Sequence, residues 1–272
     1  MRYLAIFLLA ARMFTPHQTS ARDFSYADAV TFLGTEAAAK QLKKAVFAVQ
    51  LQGNTQNQDK ADDWLLIGSG FFVPGEKSVV LGVTCYHVVE KPLEKGVGVF
   101  VGIETESGYV RSPAKVVHLD SDNDIAVLAP LRTGNDQWKF QNLVFPETTF
   151  GHDESLVEGR GVMIPGYPLR LGVEDDKNHP VIRLGMIAQF TGKSLFLIDG
   201  IASHGNSGSP VFALNYENPK LVGMVTSYIR ERINLHDESG QMVAQLPYNS
   251  GIARAVKMQV IVDALKKAVG NY

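Results

Sequence analysis

Gly205-Asn206-Ser207-Gly208-Ser209-Pro210 is a serine framed by two glycines, with a strand-like apolar run, 210–214, directly after it. Glycines at these places let the backbone turn tightly and aim neighbouring N–H groups at one point beside the hydroxyl. A serine hydroxyl is a weak nucleophile until a base removes its proton. Two further stretches supply what is missing. Thr84-Cys85-Tyr86-His87-Val88-Val89 places a histidine straight after an apolar strand, and Asp124-Ile125-Ala126-Val127-Leu128 opens another strand with a carboxylate. An imidazole can accept the serine proton near neutral pH, and a carboxylate on its other nitrogen fixes the tautomer.

Each stretch alone has a plainer reading. A histidine after a strand is usually structural, Asp124 is an acceptable strand start, and Gly-Asn-Ser-Gly is turn chemistry in any protein. Their order along the chain, His then Asp then Ser, is one of the orders in which this constellation recurs, and that order goes with a double β-barrel. His87 and Asp124 fall in the first half of the chain and Ser207 in the second, which puts the site in a cleft between halves.

The rest of the chain agrees with two β halves. Short runs rich in β-branched and aromatic residues cover 46–51, 64–73, 79–84, 97–103 and 125–128, then 161–164, 181–190, 194–198, 210–214 and 221–229, with Gly, Pro, Asn and Asp between them. The halves span about 45–130 and 160–254, joined by a turn-rich segment. Residues 26–44 read as an N-terminal helix. The segment 230–245 reads as a long exposed loop or hairpin. A C-terminal helix is expected over 255–269, with Val256, Val260, Ile261, Ala264, Leu265 and Ala268 as its apolar stripe.

Composition removes several function classes. The 26 basic and 28 acidic residues leave a net charge of −2, without the basic excess of a nucleic-acid surface. Cys85 is the single cysteine, so neither an internal disulfide nor a multi-cysteine zinc site exists in this chain. No cofactor or metal is expected. Asp120-Ser121-Asp122-Asn123-Asp124 has the spacing of a calcium loop but Ile125 and Leu131 stand where glycine and the closing acid belong. Cys85 reads as a small buried residue rather than a second nucleophile, and His204 as a lining residue of the cleft.

The sequence resembles trypsin-like serine peptidases, closest in motif style to the bacterial HtrA (Deg) protease domain, over about residues 40–268. Gly68-Ser69-Gly70-Phe71-Phe72-Val73, Gly166-Tyr167-Pro168, Leu184-Gly185-Met186-Ile187, Leu221-Val222-Gly223-Met224-Val225-Thr226-Ser227 and Asn249-Ser250-Gly251-Ile252-Ala253 look like the strands around that family's catalytic histidine, nucleophile loop and primary pocket. The resemblance implies an all-β fold of two six-stranded antiparallel barrels. It implies His87 as base, Asp124 as its orienter, Ser207 as nucleophile, and an oxyanion hole from the N–H groups of Gly205 and Ser207. It implies substrate binding along Thr226, Ser227 and Tyr228, with Ile201 at the base of the primary pocket and Tyr228 and Gly251 on its walls. None of these is charged, so small to medium apolar residues are expected on the acyl side of the cut.

Two departures from the family pattern matter. Ser209 stands where a second glycine is usual, and would be strained if that position needs positive φ. Asn206 replaces the acid that pairs with a freed amino terminus, so zymogen-type activation is not expected. Nor is a PDZ domain. The expected partner is a peptide or protein substrate. The rival readings are a catalytically silent peptide-binding protein on the same fold and a serine esterase.

The first residues carry a separate signal. Arg2 precedes the apolar run 3–11, and small residues Thr19 and Ala21 follow at cleavage-site spacing. Residues 1–21 therefore read as a signal peptide ahead of a domain over 22–272, in a secreted or periplasmic protein without stable membrane insertion after cleavage, the alternatives being an N-terminal strand or helix packed on the domain and an uncleaved anchor. Edman sequencing of exported material should start between about residues 12 and 30; recovery of intact Met1 in a soluble cytoplasmic fraction contradicts this reading.

Overall fold

The computed structural model describes residues 42–52, 64–75, 79–105, 108–131, 143–151, 156–171, 179–214 and 219–269. The N-terminal helix and the signal peptide expected from the sequence lie outside these residues, apart from a last helical turn at Leu42 and Lys43.

Six strands build a first closed barrel: β1 (Val46–Gln52), β2 (Trp64–Pro74), β3 (Val80–Thr84), β4 (Val99–Thr105), β5 (Gly108–Asp120) and β6 (Ile125–Pro130). They run in the order β1-β2-β3-β6-β5-β4, all neighbours antiparallel, and β4 pairs with β1 to close the ring. A second closed barrel follows from β7 (Gly161–Gly166), β8 (Val181–Thr191), β9 (Leu195–Asp199), β10 (Pro210–Ala213), β11 (Lys220–His236) and β12 (Met242–Lys257), in the order β10-β11-β12-β9-β8-β7. The expected pair of six-stranded barrels is therefore present. Closure pairs the barrel strands with one another, and β11 runs past its β10 partner after Met224, where only β12 pairs with it.

Sequence and structure differ at three places in this framework. β5 was not expected as a strand. Its thirteen residues are mostly half-buried and include Arg111, Pro113, Lys115 and His118, so no clean alternation marks them. Residues 255–257 continue β12 instead of starting the helix, because Ala255, Val256 and Lys257 pair with Val225, Met224 and Gly223. A helix, α1 (Tyr86–Glu94), follows β3 where the sequence offered only a motif. The C-terminal helix α2 runs over Met258–Val269 and buries Met258, Ile261, Ala264, Leu265 and Ala268 against the first barrel's core cluster.

Close packing inside the first barrel depends on absent side chains. Phe47 is fully buried, with its ring 4.5 Å from that of Phe72. A Cβ on Gly70 would collide with the Phe47 ring, and one on Gly82 would press on it. Between the barrels, the Phe145 ring bridges Phe71 of the first, at 6.2 Å, and Phe212 of the second, at 4.9 Å. The long β11–β12 ribbon extends past the barrel and turns at Asp237, whose carboxylate accepts the Ser239 and Gln241 N–H groups and the Ser239 hydroxyl. These bonds hold the Asp237 carboxyl below its ordinary value.

Truncating Phe47 leaves a hole that the glycines beside it cannot fill. Phe47→Ala should lower stability by about 3–5 kcal/mol, measured as a lower denaturant midpoint at unchanged slope; a loss under about 1 kcal/mol would contradict this packing account.

Candidate active site

β3 ends at Thr84, and the chain turns at once into α1, which presents His87 from its first turn. β5 and β6 are joined by a tight turn in which the Asp120 carboxylate accepts the Asn123 N–H and side-chain amide. That turn delivers Asp124 in the left-handed region, φ 56, a conformation that aspartate tolerates better than most residues. The segment that has calcium-loop spacing is thus a hairpin turn. The Asp124 carboxylate meets His87 twice. It accepts the His87 backbone N–H at 3.0 Å, and it lies 2.8 and 2.9 Å from the ring Nδ1. The first contact caps a helix N-terminus, where a negative charge is favoured.

His87 Nε2 lies 3.0 Å from Ser207 Oγ, across the gap between the barrels. The three residues named from the sequence are therefore brought together. With Nδ1 held by the carboxylate, Nε2 is left to accept the serine proton. His87 and Asp124 keep 46% and 28% of their side-chain surface, so the pair faces an open cleft.

The Ser207 loop is held from inside. Asn206 is buried; its side-chain oxygen accepts the Ser203 N–H, and its amide donates to Ser209 Oγ at 3.4 Å. Gly208, not Ser209, takes the left-handed conformation, φ 88, so a serine at 209 is unstrained. The space for the Ser209 hydroxyl comes from Gly166, where a Cβ would overlap it. Gly205 has φ 92 and packs against the Tyr167 carbonyl. The His204 carbonyl accepts the Leu169 N–H at 2.7 Å. In a trans peptide the next N–H points the opposite way, so this bond turns the Gly205 N–H away from Leu169. Neither the Gly205 nor the Ser207 N–H has an acceptor among the described residues.

One residue of the first barrel connects to most of this loop. Ser69 in β2 is fully buried, and its N–H donates to the Ser207 carbonyl at 2.8 Å. Its hydroxyl donates to the Gly205 carbonyl at 2.6 Å and accepts the Tyr167 N–H at 2.9 Å. Its carbonyl accepts the Thr84 hydroxyl at 2.7 Å. The sequence flagged the Gly68–Ser69–Gly70 pattern but not this function of its serine.

The residues expected to bind substrate divide. Thr226, Ser227 and Tyr228 line a cleft of about 410 Å³ with His87, Asp124, His204 and Ser207. The Thr226 carbonyl is 3.3 Å from Ser207 Oγ, and the Tyr228 hydroxyl is 3.4 Å from His204 Nε2. Ile201 and Gly251 are not among the lining residues. Ile201 is 59% exposed and its carbonyl is held by Arg183, while Gly251 bonds the Gly200 N–H, so the chain enters the cleft only at Ala202 and Ser203. Two arginines, Arg230 and Arg254, line the cleft where no charge was expected. Arg230 was readable, since it lies two residues beyond Tyr228 on one strand and so shares its face. Arg254 was not, because only the register that sets it opposite Ser227 brings it there.

Cys85, His87 and Asp124 place potential ligand atoms within 4.8 Å of one another. Burial, and next the Asp124 charge, push the Cys85 thiol well above its ordinary value. A metal needs the thiolate, and the thiol instead donates to the Val225 carbonyl at 3.3 Å. The trio is a poor metal site.

Comparison with known proteins agrees with this architecture. The family described as the trypsin-like peptidase domain matches residues 68–224. The MamO protease domain from Magnetospirillum magneticum, in its apo form, superposes with a TM-score of 0.53 at 21% identity, over 82% of this chain and 96% of that one. The HtrA-type protease AlgW, solved with a decapeptide, superposes with a TM-score of 0.57 at 16% identity, over 86% of this chain and 67% of that one. No curated protein sequence matches significantly. Among the described residues no helix is long and apolar enough to cross a membrane.

Removing the Ser69 hydroxyl leaves the Gly205 carbonyl short of a buried partner and breaks the bond from the Tyr167 N–H. Ser69→Ala should cost about 1–3 kcal/mol in denaturant unfolding; a variant as stable as the parent contradicts the linking role given to this serine.

Proposed function

The chain belongs to the trypsin-like peptidase family, and from that premise we propose that it is a serine endopeptidase working through an acyl-enzyme. The observation that carries this reading is the 3.0 Å approach of His87 Nε2 to Ser207 Oγ, with the Asp124 carboxylate on the opposite ring nitrogen. The two N–H groups without an acceptor at Gly205 and Ser207 support it.

In this reading the substrate backbone adds to the free edge of β11 at Thr226–Tyr228, as an extra strand. Ser207 Oγ attacks the scissile carbonyl while His87 Nε2 takes its proton. The carbonyl oxygen becomes an oxyanion, which the Gly205 and Ser207 N–H groups stabilise. His87 returns the proton to the leaving amine, and the acyl group stays on Ser207. Water then repeats the sequence, with His87 again as base, and releases the acid. The Asp124 carboxylate holds the tautomer and stabilises the imidazolium. The buried Asn206 amide orders the loop from within, so no proteolytic activation is required.

The test is labelling with a small fluorophosphonate, read by mass spectrometry, beside turnover of a peptide pool. The protein should label on Ser207 alone and cleave peptides. Ser207→Ala should abolish labelling and lower kcat by roughly 10⁴-fold or more, and His87→Ala nearly as much, without additivity between them. A folded protein that neither labels nor cleaves is a peptide-binding module, and one that hydrolyses only esters is an esterase.

A further inference from the structure

We propose that Arg230 and Arg254 select peptides that carry a carboxylate side chain on the acyl side of the cut, a few residues before it. The inference rests on the peptidase reading above and names its substrate class.

Both guanidinium groups belong to exposed residues that line the cleft holding Ser207 and His87. Among the described residues neither has a carboxylate within 4 Å, and neither side chain has a hydrogen bond. They contribute little to holding the fold. The Arg230 guanidinium lies 5.3 Å from the centre of the Tyr228 ring, a favourable cation–π contact between two residues that line the cleft. Arg254 is the register partner of Ser227, and such partners share one face of a sheet. The surroundings reinforce the sign. Arg183, tied to the Ile201 carbonyl and to Ser203 of the cleft lining, adds a further positive charge beside it. The one carboxylate lining the cleft, Asp124, is already paired with His87.

The geometry sets where the carboxylate belongs. β11 leads away from Ser207, starting at the Thr226 carbonyl that meets its hydroxyl. A peptide laid along this edge advances roughly 3.3 Å per residue, as the strand does. Ser227 and its partner Arg254 lie one residue along β11, and Arg230 lies four. Side chains about two to four residues before the scissile bond therefore pass the two guanidinium groups. A planar guanidinium binds carboxylate with two parallel hydrogen bonds, so acidic residues are favoured there over their amides.

The experiment uses peptidyl phosphonates that react irreversibly with an activated serine. They come in matched pairs with Glu or Gln at the second, third or fourth residue before the phosphonate and are otherwise identical. At low salt the Glu member of at least one pair should modify Ser207 about fivefold faster or more, and the ratio should shrink as salt screens the charges. Arg230→Gln combined with Arg254→Gln should bring that ratio to about one, while Lys266→Gln, on the far helix, should leave it in place. Equal rates within every pair overturn the inference alone, provided the small fluorophosphonate still labels Ser207. A wild-type ratio that survives in the double variant also overturns it. Failure of the small probe on folded protein removes the peptidase reading and this inference with it.

Discussion

The buried hydroxyl of Ser69 sits where the two barrels must agree on a common geometry. The loop that carries Ser207 grows out of the second barrel, while His87 and Asp124 belong to the first. Nothing in either barrel alone fixes the distance between them. Ser69 does so with both backbone groups and its side chain: its N–H donates to the Ser207 carbonyl, its hydroxyl donates to the Gly205 carbonyl and accepts the Tyr167 N–H, and its carbonyl accepts the hydroxyl of Thr84, just ahead of α1. An unpaired polar group in so dry a place is costly, so these bonds are kept together or lost together.

The glycines around this point follow from the same constraint. Close approach of the Ser207 loop to β2 leaves no room for a Cβ on Gly208, which would meet the Ser69 carbonyl, or on Gly205, which would meet that of Tyr167. Both also adopt positive φ, so replacement is opposed by sterics and by backbone preference. Ser209 is accommodated by a different route, through the missing side chain of Gly166. A departure from the family's usual loop is thereby absorbed by a neighbour some forty residues earlier.

These features were not equally legible in the sequence. The strands β1, β2 and β3 announce themselves because their inward residues form near-continuous apolar runs, bounded by turn residues. Strand β5 does not, since one barrel strand can spread its burial thinly over thirteen residues and include a proline. The His87, Asp124 and Ser207 positions were readable because each sits in a short motif with its own chemical signature. The Ile201 and Gly251 positions come from motif alignment alone; Ile201 sits in an irregular segment, and Gly251 lies in β12 where its register with β11 shifts, so motif spacing does not fix where either one faces. Arg254 and the links of Ser69 are invisible for another reason: they depend on which strands become neighbours, a property of closure rather than of any local stretch.

A consequence follows from the way the halves are joined. The only sulfur able to form a bridge, Cys85, is fully buried and holds its proton against the Val225 carbonyl. Its thiolate is what oxidants attack, and that species is scarce in this setting. The barrels are held by hydroxyls, amides and the Phe145 contact, none of which changes with the ambient thiol–disulfide potential. A change in the thiol–disulfide potential should therefore leave the described fold intact, with no cross-link for an oxidase or disulfide isomerase to complete.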